Sequence, residues 1–134
     1  MSATATAEVI LEEPVEMPSF NASGGQVPEE AVVSYERDGV VCLRSAIAPE
    51  WIEALAQGMD IAIEQGTEND KAFSIANPGE PGFFFYDTFM WQRIDQFKRF
   101  AFESNAADLA MQVMRSKSLI FYFDFMLVKE PGTS

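Results

Sequence analysis

The chain has 134 residues, of which 48% are hydrophobic and 13% aromatic, and it carries a formal net charge of −12 with no histidine. That length suits one domain with its own core, and the acidity argues against nucleic acid or an anionic membrane as a partner. Without imidazole the chain cannot assemble a Ser/His/Asp or Cys/His arrangement, nor a metal site that needs two neutral histidines.

The charge is uneven, since residues 1–30 contain Glu8, Glu12, Glu13, Glu16, Glu29 and Glu30 and no base. Cys42 is the single cysteine, so no internal disulfide forms, which points to a reducing, cytoplasmic compartment. No run approaches membrane-spanning length, and the N-terminus lacks the bases and apolar stretch of a signal peptide.

Residues 1–27 are rich in Ala, Thr, Glu, Pro, Ser and Gly and read as an acidic, extended or disordered lead-in, with Met17-Pro18-Ser19-Phe20 as a stretch that packs locally on the domain. The domain proper is placed at 28–134. Residues 28–38 read as a helix, with Pro28 and two glutamates at its start and Gly39 at its end. Val40-Val41-Cys42-Leu43 follows as a short strand, with Cys42 as a small buried hydrophobe. Residues 49–65 form the clearest helix, opened by Pro49 and stopped by Gly66, with Ile52, Leu55, Met59, Ala62 and Ile63 on one apolar face.

The turn signals Asn69-Asp70, Asn77-Pro78-Gly79 and Pro81-Gly82 make 66–82 a long loop. The aromatic cluster Phe83-Phe84-Phe85-Tyr86-Asp87-Thr88-Phe89-Met90-Trp91 has two readings, a core strand or a pocket wall. A helix is expected over 91–102, with Ile94, Phe97, Phe100 and Ala101 inward and Arg93 among the residues facing water. A second is expected over 106–115, capped by Asn105, with Leu109, Met111, Val113 and Met114 on its apolar face and Arg115 and Lys117 as a solvated basic end. The run from Leu119 to Val128 is apolar at odd and even positions alike, so it reads as a strand covered on both faces, with Asp124 as a paired structural acid.

Two stretches carry a resemblance. Tyr35-Glu36-Arg37-Asp38-Gly39-Val40-Val41, followed by Leu43, Ile47 and Pro49, is similar to the opening of the phytanoyl-CoA dioxygenase family, where a helix ending in Asp-Gly leads to a strand and a Pro-led helix. Phe123-Asp124-Phe125-Met126-Leu127-Val128-Lys129-Glu130-Pro131-Gly132 resembles the segment that precedes that family's iron-binding His-x-Asp pair. The resemblance covers roughly residues 30–134. It implies an α+β chain in which N-terminal helices pack on the first strands of a double-stranded β-helix, a jelly-roll or cupin-like fold that is incomplete in this chain. It implies the N-terminal part of a non-haem Fe(II)/2-oxoglutarate-dependent dioxygenase that hydroxylates a small organic substrate.

Within that resemblance Phe125 matches a neighbour of 2-oxoglutarate. Lys129 has two readings: an electrostatic helper for the dicarboxylate, or a rim lysine that solubilises a strand end. Two-residue periodicity puts Phe125 and Lys129 on one face of an unbulged strand. No position matches a metal ligand and no catalytic residue is assigned, so the chain alone is expected to be inactive and to bind neither Fe(II) nor 2-oxoglutarate tightly. The alternative function is an acidic, non-catalytic interaction module that pairs with a partner or with itself through its exposed C-terminal strand.

Overall fold

The computed structural model describes residues 17–66, 72–75 and 81–132. Helix α1 (Glu29–Asp38) starts with Glu29 and Glu30 against its positive end. It stops at Gly39, whose φ of 73° lets its N–H turn back and donate to the Tyr35 carbonyl at 2.8 Å. Helix α2 (Pro49–Gln65) opens on Pro49 and ends at Gly66. Both helices therefore begin and end where their Pro and Gly signals put them.

The face of α2 is the one that hydrophobic periodicity selects except at Ile52: Leu55, Met59 and Ile63 pack against the core beside the buried Ala62, and Gly58 joins them. Its buried residues are Gly58 and Ala62, one turn apart, while Ile52 is 56% exposed. Gly58 is covered by α3 (Asp95–Glu103), which packs on α2 so closely that a Cβ on Gly58 would lie 3.0 Å from a Phe97 ring carbon and 3.1 Å from the Gln96 Cβ. Small residues, rather than large apolar ones, mark the contact line.

Strands β3 (Phe73–Ile75), β4 (Phe84–Thr88) and β5 (Phe125–Lys129) form an antiparallel sheet with β4 in the middle. Pairing runs from Phe84 opposite Lys129 to Thr88 opposite Phe125 without a bulge, and Phe73 and Leu127 flank Tyr86 in one cross-strand row. Alternation sends Phe85, Asp87, Met126 and Val128 inward. There Phe85 and Met126 join Ala62, Met90, Ile94 and Phe97 in the core between sheet and helices.

A second, smaller layer holds the N-terminal half. Strand β1 (Ser19–Asn21) pairs in parallel with β2 (Cys42–Arg44), and α4 (Ala106–Val113) packs on α1 and α3. The stretch 17–27, expected as part of an extended or disordered lead-in, is thus built into the fold from Pro18 onward. The Pro18 carbonyl accepts a hydrogen bond from the Cys42 N–H, and Gln112 holds Gly25 and Val27. Residues 1–16 lie outside the described residues.

Several expectations need correction. The strand expected over 40–43 begins two residues later, where β1 supplies its partner. The loop expected over 66–82 contains β3, while its signals at 67–71 and 76–80 fall outside the described residues. The helix expected over 91–102 begins only at Asp95, because Met90–Gln92 form a 3-10 turn. The helix expected over 106–115 ends at Val113. Its first N–H, that of Ala106, is met by the Ser104 hydroxyl, whereas the Asn105 amide donates instead to the Ala46 carbonyl.

The largest correction concerns the run 119–128. Only 125–129 is strand, and neither face of the run is fully covered: Ile120 is 90% exposed and Tyr122 83% exposed. The reason is the length of β4. Its last residue is Thr88, and Phe89 at φ 56° turns the chain into the 3-10 turn, so β4 offers no pairing edge to residues 119–123.

Candidate functional site

The outer face of the β3–β4–β5 sheet carries Phe73 and Ile75 from β3, Phe84, Tyr86 and Thr88 from β4, and Phe125, Leu127 and Lys129 from β5. Among the described residues no helix covers it, and Phe125 is 54% and Leu127 52% exposed. The aromatic run around residue 85 is therefore a core strand on one face only. Its odd members Phe85 and Asp87 are core, and its even members Phe84 and Tyr86 line an open surface.

The rings on this face are ordered by the register. Tyr86 stacks on Phe73 at 5.4 Å and meets Phe125 at 5.9 Å and Phe84 at 6.3 Å. Farther along the chain Phe123 meets Phe89 at 5.5 Å, and Phe121 meets Trp91 and Phe102 at 5.9 and 5.4 Å. Phe125 and Lys129 share the face, as the two-residue spacing predicts, and both are exposed. Lys129 stands opposite Phe84, so a cation borders an aromatic surface whose strand residues include no acid.

Behind the sheet lies a polar cluster. Asp87 is fully buried, accepts a hydrogen bond from the Thr88 N–H at 2.7 Å, and pairs with the Arg93 guanidinium, which also donates to the Gln65 side chain. Asp124, just before β5, accepts from the Trp91 N–H at 2.8 Å, and its carbonyl accepts from the Phe89 N–H at 3.1 Å. Burial pushes the Asp124 carboxyl above the ordinary aspartate value and the nearby Asp87 charge adds to that, while the backbone N–H groups of Trp91, Asp124 and Met90 pull it back. Asp124 Oδ1, Arg93 Nε and Trp91 Nε1 are buried with no hydrogen-bond partner among the described residues.

Asp124 meets the expectation of a satisfied structural acid only in half: one oxygen is anchored by the Trp91 N–H, while Oδ1 is buried without a partner among the described residues. Asp87 and Arg93 were missed, and Arg93 corrects the expectation that it faces water. The signal for Asp87 was present: it is an acid inside an aromatic strand, the same pattern that singles out Asp124. Arg115 is likewise no free solvated end, for it donates to Glu29 and Glu36 and fastens α4 to α1. Those pairs hold the Glu29 carboxyl below its usual range.

Residues for a metal are not assembled here. Among the described residues no group of three or more His, Cys, Asp or Glu is placed to hold an ion. Asp87 is committed to Arg93 and Asp124 to backbone N–H groups, so the donors present do not fit an iron site. A separate open groove of about 1350 Å³ lies between the Ser23–Gly25 turn, the 45–49 loop and α4, and neither Phe125 nor Lys129 lines it. Among the described residues no helix is long and apolar enough to cross a membrane. No family model, curated protein or solved structure matches the chain.

Proposed function

We propose that this chain is the N-terminal part of a non-haem Fe(II)/2-oxoglutarate-dependent dioxygenase of the phytanoyl-CoA dioxygenase kind, acting in the cytoplasm and hydroxylating a small organic substrate. The observation that supports this most is the one-sided sheet: helices cover one face, and the other is an open aromatic surface with Phe125 and Lys129 on it, at opposite ends of β5. In a complete double-stranded β-helix such a face becomes one wall of the central pocket.

In that setting each residue of the face has a part suited to its chemistry. Lys129 supplies the counter-charge for one carboxylate of 2-oxoglutarate, Leu127 and Tyr86 in the next row pack against its methylene carbons, and Phe125 at the far end of β5 continues the wall. Iron and molecular oxygen would supply the oxidising chemistry when bound. The part of the residues on this face is to orient ligands and exclude water.

The test is to read the gene beyond the codon for Ser134 and to assay the longer product. A His-x-Asp pair shortly after Ser134 and formation of succinate from 2-oxoglutarate are expected, with Lys129→Ala raising the KM for 2-oxoglutarate more than it lowers kcat. A stop codon directly after Ser134, or succinate formed by the 134-residue chain itself, overturns the proposal.

A further inference from the structure

We propose that the 134-residue chain forms a two-fold homodimer in which the outer faces of two β3–β4–β5 sheets pack against each other. Left to itself, the chain exposes on this face an apolar surface that water solvates poorly, and a second copy is the occupant whose chemistry fits it row by row. The proposal goes beyond the dioxygenase reading and does not depend on it.

The first argument is the pattern across the face. The register sets three cross-strand rows: Ile75–Phe84–Lys129, Phe73–Tyr86–Leu127, and Thr88–Phe125. A two-fold axis along the middle row, perpendicular to the strands, superimposes that apolar row on itself. It also exchanges the two outer rows, so Lys129 of each copy comes to lie over Phe125 of the other. Phe125–Leu127–Lys129 thus reads ring, aliphatic, cation in one copy and cation, aliphatic, ring in its partner. A cation over a ring face is attractive, most of all when water is excluded.

The second argument is charge. The chain carries −12, yet the strand residues that make up the face include no acid. Two copies therefore meet on the surface where they do not repel, and a polar or acidic partner finds nothing here to pair with except one lysine per copy.

The third argument is size. Phe73 and Ile75 are 43% and 41% exposed, and with Phe125, Leu127 and the half-buried Phe84 and Tyr86 the face offers about 500 Å² per copy, or about 1,000 Å² for the pair, where specific interfaces begin. Two sheets packing in this way sit about 10 Å apart, as in a sandwich core.

Sedimentation equilibrium of the 134-residue chain across the micromolar range tests this. A species of twice the chain mass is expected, with Lys129→Glu weakening association about tenfold by replacing a cation over the partner ring with an anion. Because Lys129 is exposed, that variant keeps the fold, which unchanged far-ultraviolet circular dichroism verifies. Leu127→Cys, with Cys42→Ser, places one thiol on each side of the axis, and a short thiol-specific bismaleimide, which spans the gap of about 10 Å between packed sheets that a disulfide cannot, should give a covalent dimer far faster than with Ile52→Cys on the exposed flank of α2. A monomer throughout, open-ended oligomers, association indifferent to Lys129→Glu, or equal cross-linking from both cysteine positions would each overturn the proposal.

Discussion

Asp87 and Asp124 show how one residue type is held in two ways. Asp87 is buried against a guanidinium, so removing Arg93 takes away the cation that faces this buried carboxylate. Arg93→Ala is expected to destabilise the fold by about 3 kcal/mol, the lower end for a broken buried pair because Arg93 keeps a quarter of its side chain in water. Arg93→Lys should recover part of that loss, since an ammonium can meet Asp87 but lacks the fork that also reaches Gln65. Urea unfolding of the three proteins at one pH measures both effects.

Asp124 has no such cation, and its folded-state pKa is raised. An unfolded aspartate titrates near 3.9. Below that value both states are protonated and Asp124 costs the fold nothing. As pH rises through the higher folded value, the stability held by the protonated form is lost, because a desolvated carboxyl must ionise. Asp124→Asn keeps an oxygen for the Trp91 N–H and never ionises. It should therefore gain stability over the parent as pH goes from 4 to 7, while the other carboxylates, common to both proteins, cancel from the difference. A difference in stability that is flat with pH would contradict this account.

Among the elements, the α2–α3 contact is the most exacting. Gly58→Val adds a branched side chain where even a Cβ would touch Phe97, and it is expected to cost about 2–3 kcal/mol despite removing a helix glycine. Thermal or urea unfolding with an unchanged helical signal checks it. The Arg115 link between α4 and α1 is of another kind, being fully exposed. Arg115→Ala should lower the melting temperature in dilute buffer and much less in high salt, where such pairs are screened.

These elements also show what the sequence could carry. The ends of α1 and α2 were legible because Pro and Gly act through local backbone geometry. Most of the burial face of α2 was legible too, in Leu55, Met59, Ala62 and Ile63, but the part of Gly58 was not, because that residue is chosen by the approach of α3, a contact made forty residues away. β3 and β1 were invisible for a related reason. Each is three residues long and extended only because a neighbour supplies the ladder. The run 119–128 misled in the opposite sense, since its composition announces a full strand while the partner strand is too short to pair with more than half of it.

At the scale of the whole molecule, the acidity and the open aromatic face oppose each other. The charge keeps copies apart at long range, and the face draws them together at contact. Added salt should therefore tighten self-association, because screening weakens repulsion between two chains of −12 more than it weakens apolar burial. Sedimentation in dilute and in high salt would show the dissociation constant falling, and a rising constant would mean that the contact is chiefly ionic. Of the candidate site, the shared face of Phe125 and Lys129 was legible from two-residue alternation alone. The cluster behind it was not, because Asp87, Asp124 and Arg93 come together only through a left-handed turn at Phe89 that no propensity specifies.

The side chain of Gln112 has a consequence of a different sort. Its amide donates to the Gly25 carbonyl at 2.8 Å and accepts from the Val27 N–H at 2.9 Å, so a single side chain stands in for a neighbouring strand. A protease must draw a segment into an extended form within its own cleft, and residues 25–27 are already spoken for in that sense. Gln112→Ala releases both groups and should make the 22–28 segment the first site of limited proteolysis. Gln112→Glu can still accept from Val27 but cannot donate to Gly25, and its cleavage rate should fall between the two. The ranking of three digestion rates would then reveal whether the N-terminal segment is held in place by one amide.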